Sequence, residues 1–303
     1  MYEGFFGLKE QPFSLTPNTH YFLNSASHQQ ALELLLVALR NKEGFIKISG
    51  EVGTGKTLLC RMLLNSLEPP FVTAYIPNPV LSADSLYQAV AEELGVDIEL
   101  DKGSHHLLKC LNTKLIEHAS NQEQVVLIID EAQAMPEQTI EALRLLTNLE
   151  TETSKLLQVV LFGQPELDEL LRQASLRQLQ QRITFQQRLQ PLDKAGVAQY
   201  VNHRLSLAGY NGPNLFNPAA LKLLYRASGG IPRLVNILAH KALMVAFGQG
   251  LREIGTAQVR RAIADTESAT LSRPFWPGNW KPWLFWLPLV ALSCILIGGE
   301  IGL

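Results

Sequence analysis

The run Gly50-Glu51-Val52-Gly53-Thr54-Gly55-Lys56-Thr57 satisfies the pattern G-x-x-x-x-G-K-[ST] in full. Its chemistry is phosphate binding. Glycines let main-chain N–H groups curl round the phosphates, and a helix starting there adds positive potential. Lys56 reaches the β- and γ-phosphates, and the Thr57 hydroxyl is a ligand for Mg²⁺. The candidate nucleotide-binding stretch is Gly50, Glu51, Val52, Gly53, Thr54, Gly55, Lys56, Thr57 and Leu58. Further on, the apolar run Val125-Val126-Leu127-Ile128-Ile129 ends in Asp130-Glu131. Asp130 is placed to complete the Mg²⁺ shell with Thr57, and Glu131 to polarise an attacking water as general base. Taken with the phosphate pattern, the pair points to nucleoside triphosphate hydrolysis.

Both motifs need strands that end beside each other. Short apolar runs near Phe45–Ser49, Val72–Ile76, Val125–Ile129, Val159–Phe162 and Thr184–Leu189 alternate with longer helical patterns, which predicts an α/β fold with a mainly parallel sheet. The first helix is expected over Ser27–Arg40 behind a serine N-cap. Beyond Pro191 the strand signal stops, and helices are expected near Lys194–Ala208, Pro218–Ala227, Ile231–Phe247 and Thr256–Ala264, forming a small helical lid domain. The resulting division is a nucleotide-binding core over 1–192, a lid over 193–267, a linker over 268–281 and a transmembrane segment over 282–300.

The last segment is read from charge and tryptophan. From Pro282 to Gly299 no residue is charged, and all four tryptophans (Trp276, Trp280, Trp283, Trp286) lie at its leading edge. A helix over Trp283–Gly299 would reach about 26 Å, slightly short of the roughly 30 Å hydrocarbon core of a bilayer. Clustered Trp suits the membrane interface, and Arg273 and Lys281 on the N-terminal side place the large N-terminal part in the cytoplasm. A buried C-terminal helix, or an interfacial wedge kinked at Pro288, is the alternative. The N-terminus has no secretory-signal pattern, in keeping with a cytoplasmic start.

The chain has 303 residues, 47% of them hydrophobic and 18% charged, which excludes a disordered chain or a disulfide mini-protein. Cys60, Cys110 and Cys294 are widely spaced, and the seven histidines form no triad or ligand pattern, so neither a disulfide framework nor a zinc site is expected. Net charge is −2, but it is unevenly placed: residues 1–193 carry −9, while Lys194–Ala264 carries +8 with nine basic residues against Glu253.

With one strand intervening in sequence between the phosphate loop and Asp130-Glu131, the chain resembles AAA+ ATPases, a class of P-loop NTPase. The resemblance implies ATP with Mg²⁺, action as a homo-oligomer in a ring or partial ring, and several further site residues. Gln164 would sense the γ-phosphate, although it also reads as the start of a helix-capping turn. Arg182, with Arg177 second, would be the finger reaching a neighbouring subunit's nucleotide, against a solvated helix end as the alternative. Arg233 in Gly229-Gly230-Ile231-Pro232-Arg233 would contact phosphate from the lid, and Asn78 would restrain Glu131.

Within AAA+, the residues Phe6-Gly7-Leu8, Pro12-Phe13-Ser14-Leu15-Thr16-Pro17 and Gly163-Gln164-Pro165-Glu166-Leu167 resemble the ExeA/GspA group of secretion ATPases. Gly44-Phe45-Ile46-Lys47 and Tyr75-Ile76-Pro77-Asn78-Pro79 are similar to those of ATPases of mannose-sensitive haemagglutinin (MSHA) type IV pilus biogenesis. ExeA-type proteins carry a peptidoglycan-binding domain after the membrane span, whereas few residues follow Gly299, so wall binding is not expected of this chain.

Two functions follow. One is an ATPase anchored in the bacterial inner membrane that supports assembly of a type IV (MSHA-like) pilus or secretion complex, with anionic lipid near its basic lid. The other is a nucleic-acid-binding AAA+ regulator of the transposition-helper kind, with the lid as phosphate-contacting surface. The Trp-rimmed apolar tail favours the first.

Overall fold

The computed structural model describes residues 1–96, 103–149 and 155–269. Five strands, β1 (Phe45–Ser49), β2 (Phe71–Ile76), β3 (Gln124–Ile129), β4 (Leu157–Gly163) and β5 (Ile183–Arg188), form one sheet in the order β2-β3-β4-β1-β5. Every pairing is parallel. The helices are α1 (Glu3–Phe6), α2 (Ala26–Arg40), α3 (Lys56–Ser66), α4 (Ala83–Glu93), α5 (Gly103–Ser120), α6 (Glu137–Leu146), α7 (Pro165–Leu171), α8 (Arg177–Arg182), α9 (Lys194–Leu207), α10 (Pro218–Ser228), α11 (Pro232–Gly248) and α12 (Thr256–Ala264). Each expected strand and lid helix is present within a residue or two of its predicted ends.

The central strands are mostly apolar and buried along their length because helices cover both faces of the sheet. On one face, Leu35 and Leu39 of α2 and Leu59 and Leu63 of α3 pack on Ile46, Ile48, Val126, Ile128, Val160 and Phe162. On the other, α4, α5 and α6 supply Leu86, Val90, Leu111, Leu115, Ile140 and Leu143 against Val125, Leu127, Ile129, Val159 and Leu161. The edge strand β5 instead alternates half-buried and exposed residues. In space β4 lies between β1 and β3, so the carboxyl ends of these three strands form a row. The register pairs Ser49 with Gly163 and Ile129 with Leu161, which brings Gly50, Asp130 and Gln164 to one edge of the sheet. Parallel α/β sheets bind ligands along such an edge.

Helices α9 to α12 share a second core, including Val197, Val201, Leu224, Leu238, Leu243 and Val259. The opening segment belongs to this core: Tyr2, Phe6, Leu8 and Phe13 are buried in it. Main-chain ties fix it there, since Lys9 N–H donates to the Ala208 carbonyl at 2.8 Å and Arg252 donates to the Phe5 carbonyl at 2.9 Å. The chain therefore begins on the helical layer before entering the sheet.

The start of α2 departs from expectation. Ser25, not a later serine, is at the N-cap position, and its side chain does not cap the helix. Its hydroxyl lies 2.7 Å from His28 Nδ1 instead. The expected transmembrane segment 282–300 and nearly all of the linker 268–281 lie outside the described residues. Among the described residues, no helix is long and apolar enough to cross a membrane.

Candidate active site

The phosphate loop follows β1 without a break. Gly50 N–H donates to the Gly163 carbonyl at 3.2 Å, and Thr54 closes the turn by donating N–H and hydroxyl to the Glu51 carbonyl at 3.2 and 2.8 Å. Gly53 has φ +81°, and a Cβ there would lie 2.6 Å from Arg233 Cβ, so a side chain would push α11 off the loop. Arg233 N–H donates to the Gly53 carbonyl at 3.2 Å, which docks the first turn of α11 on the loop.

Lys56 is buried and donates to the carbonyls of Gly50 and Glu51 at 2.8 and 3.1 Å. Burial pulls its pKa below the ordinary lysine value, with Glu131 and Asp130 opposing that shift. Asp130, 2% exposed, accepts the Glu131 N–H at 2.9 Å and is hydrogen-bonded by Thr57. Burial raises its pKa, and those two hydrogen bonds work the other way. The Thr57 hydroxyl and the Asp130 carboxylate thus stand together beside the loop. That pairing fits Mg²⁺, which is commonly held by one or two carboxylates, waters and substrate phosphates rather than an all-protein cage. Among the described residues no cluster of three or more His, Cys, Asp or Glu offers such a cage.

Glu131 adopts a left-handed backbone, φ +51°, at the turn out of β3. One carboxylate oxygen accepts from Gln164 Nε2 at 2.9 Å and from Gln133 Nε2 at 2.5 Å, while Gln133 Oε1 accepts the Gln164 N–H at 2.9 Å. Burial pushes the Glu131 pKa up, but the Gln164 and Gln133 amides and the Lys56 charge outweigh it and hold the group below the usual glutamate value. The carboxylate is therefore ionised at neutral pH. Gln164 occupies the N-cap position of α7, yet its side chain does not cap and turns to Glu131.

A cavity of about 190 Å³ opens over this arrangement, lined by Lys56, Thr57, Glu131, Gln164 and Arg233 together with the strap Ser14–Asn18. Tyr200, Arg204 and Asn236 complete its wall. A larger hollow of about 660 Å³ beside β5 lies away from the loop glycines, Lys56 and Glu131.

Not every anticipated residue is here. Arg182 and Arg177 are exposed on α8 and do not line the cavity of their own chain. Arg182 lies 3.5 Å from Thr147 Oγ1. Asn78 is exposed and accepts the Val80 N–H at 3.4 Å, so the restraint on Glu131 comes from Gln164 and Gln133. Arg204, counted by sequence among the lid's surface cations, is 6% exposed and donates to the Pro12 and Ser14 carbonyls and to Tyr200 Oη. Gln133 was missed; its signal was an amide two residues beyond the acid pair. His28, Arg204 and Asn236 had no sequence signal, because only folding brings them to the loop.

An AAA domain family model matches residues 39–171. The chain is 45% identical over 254 residues to General secretion pathway protein A of Aeromonas hydrophila, an alignment covering 84% of this chain and 46% of that protein. The chain thus spans about half the length of that relative. Among solved structures it is similar to the ORC2 protein of Aeropyrum pernix, with TM-score 0.60 and 16% identity over 92% of this chain and 79% of that one. Cdc6p from Pyrobaculum aerophilum gives TM-score 0.61 and 19% identity over 83% and 69%. The RuvB Holliday junction branch migration motor of Thermotoga maritima gives 0.54 and 17% over 80% and 70%.

Proposed function

The chain belongs to the ExeA/GspA family of AAA+ ATPases, and from that premise we propose that it binds and hydrolyses ATP, as a homo-oligomer, to support assembly of a type IV (MSHA-like) pilus or secretion complex at the bacterial inner membrane. The observation that carries the enzymatic part is the Glu131 carboxylate, held by Gln164 and Gln133 on the cavity that Lys56 and Thr57 line. Lys56 leaves the Gly50 and Glu51 carbonyls to contact the β- and γ-phosphates, and the loop N–H groups take the remaining phosphate oxygens. Thr57 and Asp130 would hold Mg²⁺, which would supply charge neutralisation at the phosphates. Glu131 receives a proton from the attacking water, and Gln164, bonded to the same carboxylate, links that step to the γ-phosphate position. Arg233 enters from the lid and Arg182 from a neighbouring copy, where it stabilises transition-state charge.

Membrane attachment rests on the uncharged, tryptophan-rimmed run of residues 282–299, with the large N-terminal part in the cytoplasm. The assembly role rests on the likeness to General secretion pathway protein A and on the resemblance of residues 44–47 and 75–79 to MSHA-type ATPases.

The test has two arms. Lys56→Ala should lose ATP binding, whereas Glu131→Gln should keep it and hydrolyse about 10²- to 10⁴-fold more slowly. Full-length protein should sediment with membranes and co-purify with assembly components in the ATP-trapped Glu131→Gln state. Hydrolysis at the wild-type rate by that variant removes the general-base assignment. Soluble full-length protein that prefers duplex DNA over anionic vesicles of matched charge replaces the assembly role with nucleic-acid regulation.

A further inference from the structure

His28 lies on α2, outside the cavity, yet it is built into the back of the phosphate loop. The residue is 5% exposed, and its ring stands edge-to-face with that of Phe22 at 5.6 Å between ring centroids. Its Nε2 is 2.9 Å from the Thr54 carbonyl oxygen, and its Nδ1 is 2.7 Å from Ser25 Oγ. A carbonyl only accepts, so Nε2 carries the hydrogen, and the Ser25 hydroxyl, which can donate or accept, pairs with Nδ1. In the neutral Nε2–H form both ring nitrogens are satisfied by these two partners. Burial lowers the pKa of the ring and favours that same form. Ser25 stands at a helix N-cap but spends its hydroxyl on the ring rather than on the helix. Gly55 has φ +99°, and a Cβ there would lie 2.9 Å from Nε2, so the loop backbone and the imidazole are in direct contact.

The carbonyl and N–H of a trans peptide point in opposite directions, and the unit is planar. A Thr54 carbonyl held on His28 therefore turns the Gly55 N–H to the other side of the loop. That side is the cavity, since Gly53, Gly55, Lys56 and Thr57 line it and His28 does not.

We propose that His28 is a positioning residue for triphosphate binding: by anchoring the Thr54 carbonyl it keeps the Gly55 N–H aimed at the phosphates. Ser25 holds the ring in place for that task. The inference rests on ATP being bound at this loop.

The test uses full-length protein and a fluorescent ATP analogue with Mg²⁺. His28→Leu removes the donor at similar volume and should raise the Kd at least about fivefold. His28→Gln retains an N–H of similar reach and should return the Kd to within about twofold of wild type. Ser25→Ala, which leaves the ring without its second anchor, should raise the Kd about two- to threefold. In steady state the Leu variant should show the change in KM, with kcat at saturating ATP moving by less than about twofold. A folded Leu variant with wild-type Kd overturns the proposal, as does a folded Gln variant that fails to rescue. If His28→Leu does not fold, Ser25→Ala decides, and a wild-type Kd there overturns it. Absence of binding by the wild-type protein refutes the ATP reading and this one with it; binding undisturbed in the variants refutes this one alone.

Discussion

Replacing Arg204 by methionine keeps a long apolar stem of similar reach and deletes only the charged fork, so the loss measures what the guanidinium does. The fork donates to the Pro12 carbonyl, to Tyr200 Oη at 2.9 Å and to the Ser14 carbonyl at 3.3 Å, and its carbon lies 4.6 Å from the Tyr21 ring centroid. Pro12 is buried, so its carbonyl would lose a partner that water cannot easily replace. An unsatisfied buried acceptor costs about 1–3 kcal/mol, and a desolvated cation–π contact is worth up to about 2 kcal/mol. Relief from burying a cation offsets part of this, leaving a net loss of about 2–4 kcal/mol. For a folded unit of this size, that corresponds to a melting midpoint about 5–15 °C lower. Ser14, whose carbonyl the fork also holds, begins the strap that walls the cavity, so the KM for ATP should rise as well. Differential scanning calorimetry and steady-state kinetics on full-length protein read both effects. A midpoint within about 2 °C of wild type with unchanged KM would refute the reasoning, because it would mean that the buried fork neither holds the strap nor supports the fold.

Hydrolysis per protomer should rise with protein concentration, and mixing Arg182→Ala with Glu131→Gln subunits should restore some turnover at interfaces pairing an intact Arg182 with an intact Glu131; no recovery at any ratio counts against Arg182. Because burial sets the Lys56 pKa below its ordinary 10.5, ATP affinity should begin to weaken before pH reaches that value, and a Kd that stays flat through pH 10.5 would contradict it. On the acid side, Glu131 is held below its ordinary 4.5, so its carboxylate persists to lower pH than a free glutamate. Gln164→Leu should shift the acid limb of kcat/KM upward, since it removes one of the amide hydrogen bonds that hold this carboxylate below its ordinary value. Cys60, buried beneath the loop with its thiol pKa pushed up to about 12 by burial, should resist alkylation at pH 8 in native protein while Cys110 reacts; mass spectrometry of the labelled sites decides.

Much of this architecture is local in origin and so was legible along the chain. Mostly apolar runs bounded by turns mark β1, β3 and β4, since strands covered on both faces need little polar alternation. The phosphate pattern carries its own geometry, because its glycines, its helix start and Lys56 are neighbours in sequence. Asp130 and Glu131 were legible for the same reason, at the end of an apolar strand.

What required the tertiary structure is every contact between groups distant in sequence. Inserting β4 between β1 and β3 is what brings Gln164 within 2.9 Å of Glu131, and no periodicity encodes strand order. The seven histidines look alike as letters. Only the packing of α2 on the sheet makes His28 a bond to the Thr54 carbonyl. Charge counting placed Arg204 on a basic surface, yet folding wraps the opening segment over α9 and turns that cation into a buried fork for two carbonyls. Side-chain type and spacing determine which chemistry is available, because covalent neighbours fix local geometry. Which groups meet, and which ionise, is decided by burial and by partners that the chain reaches only once it has folded.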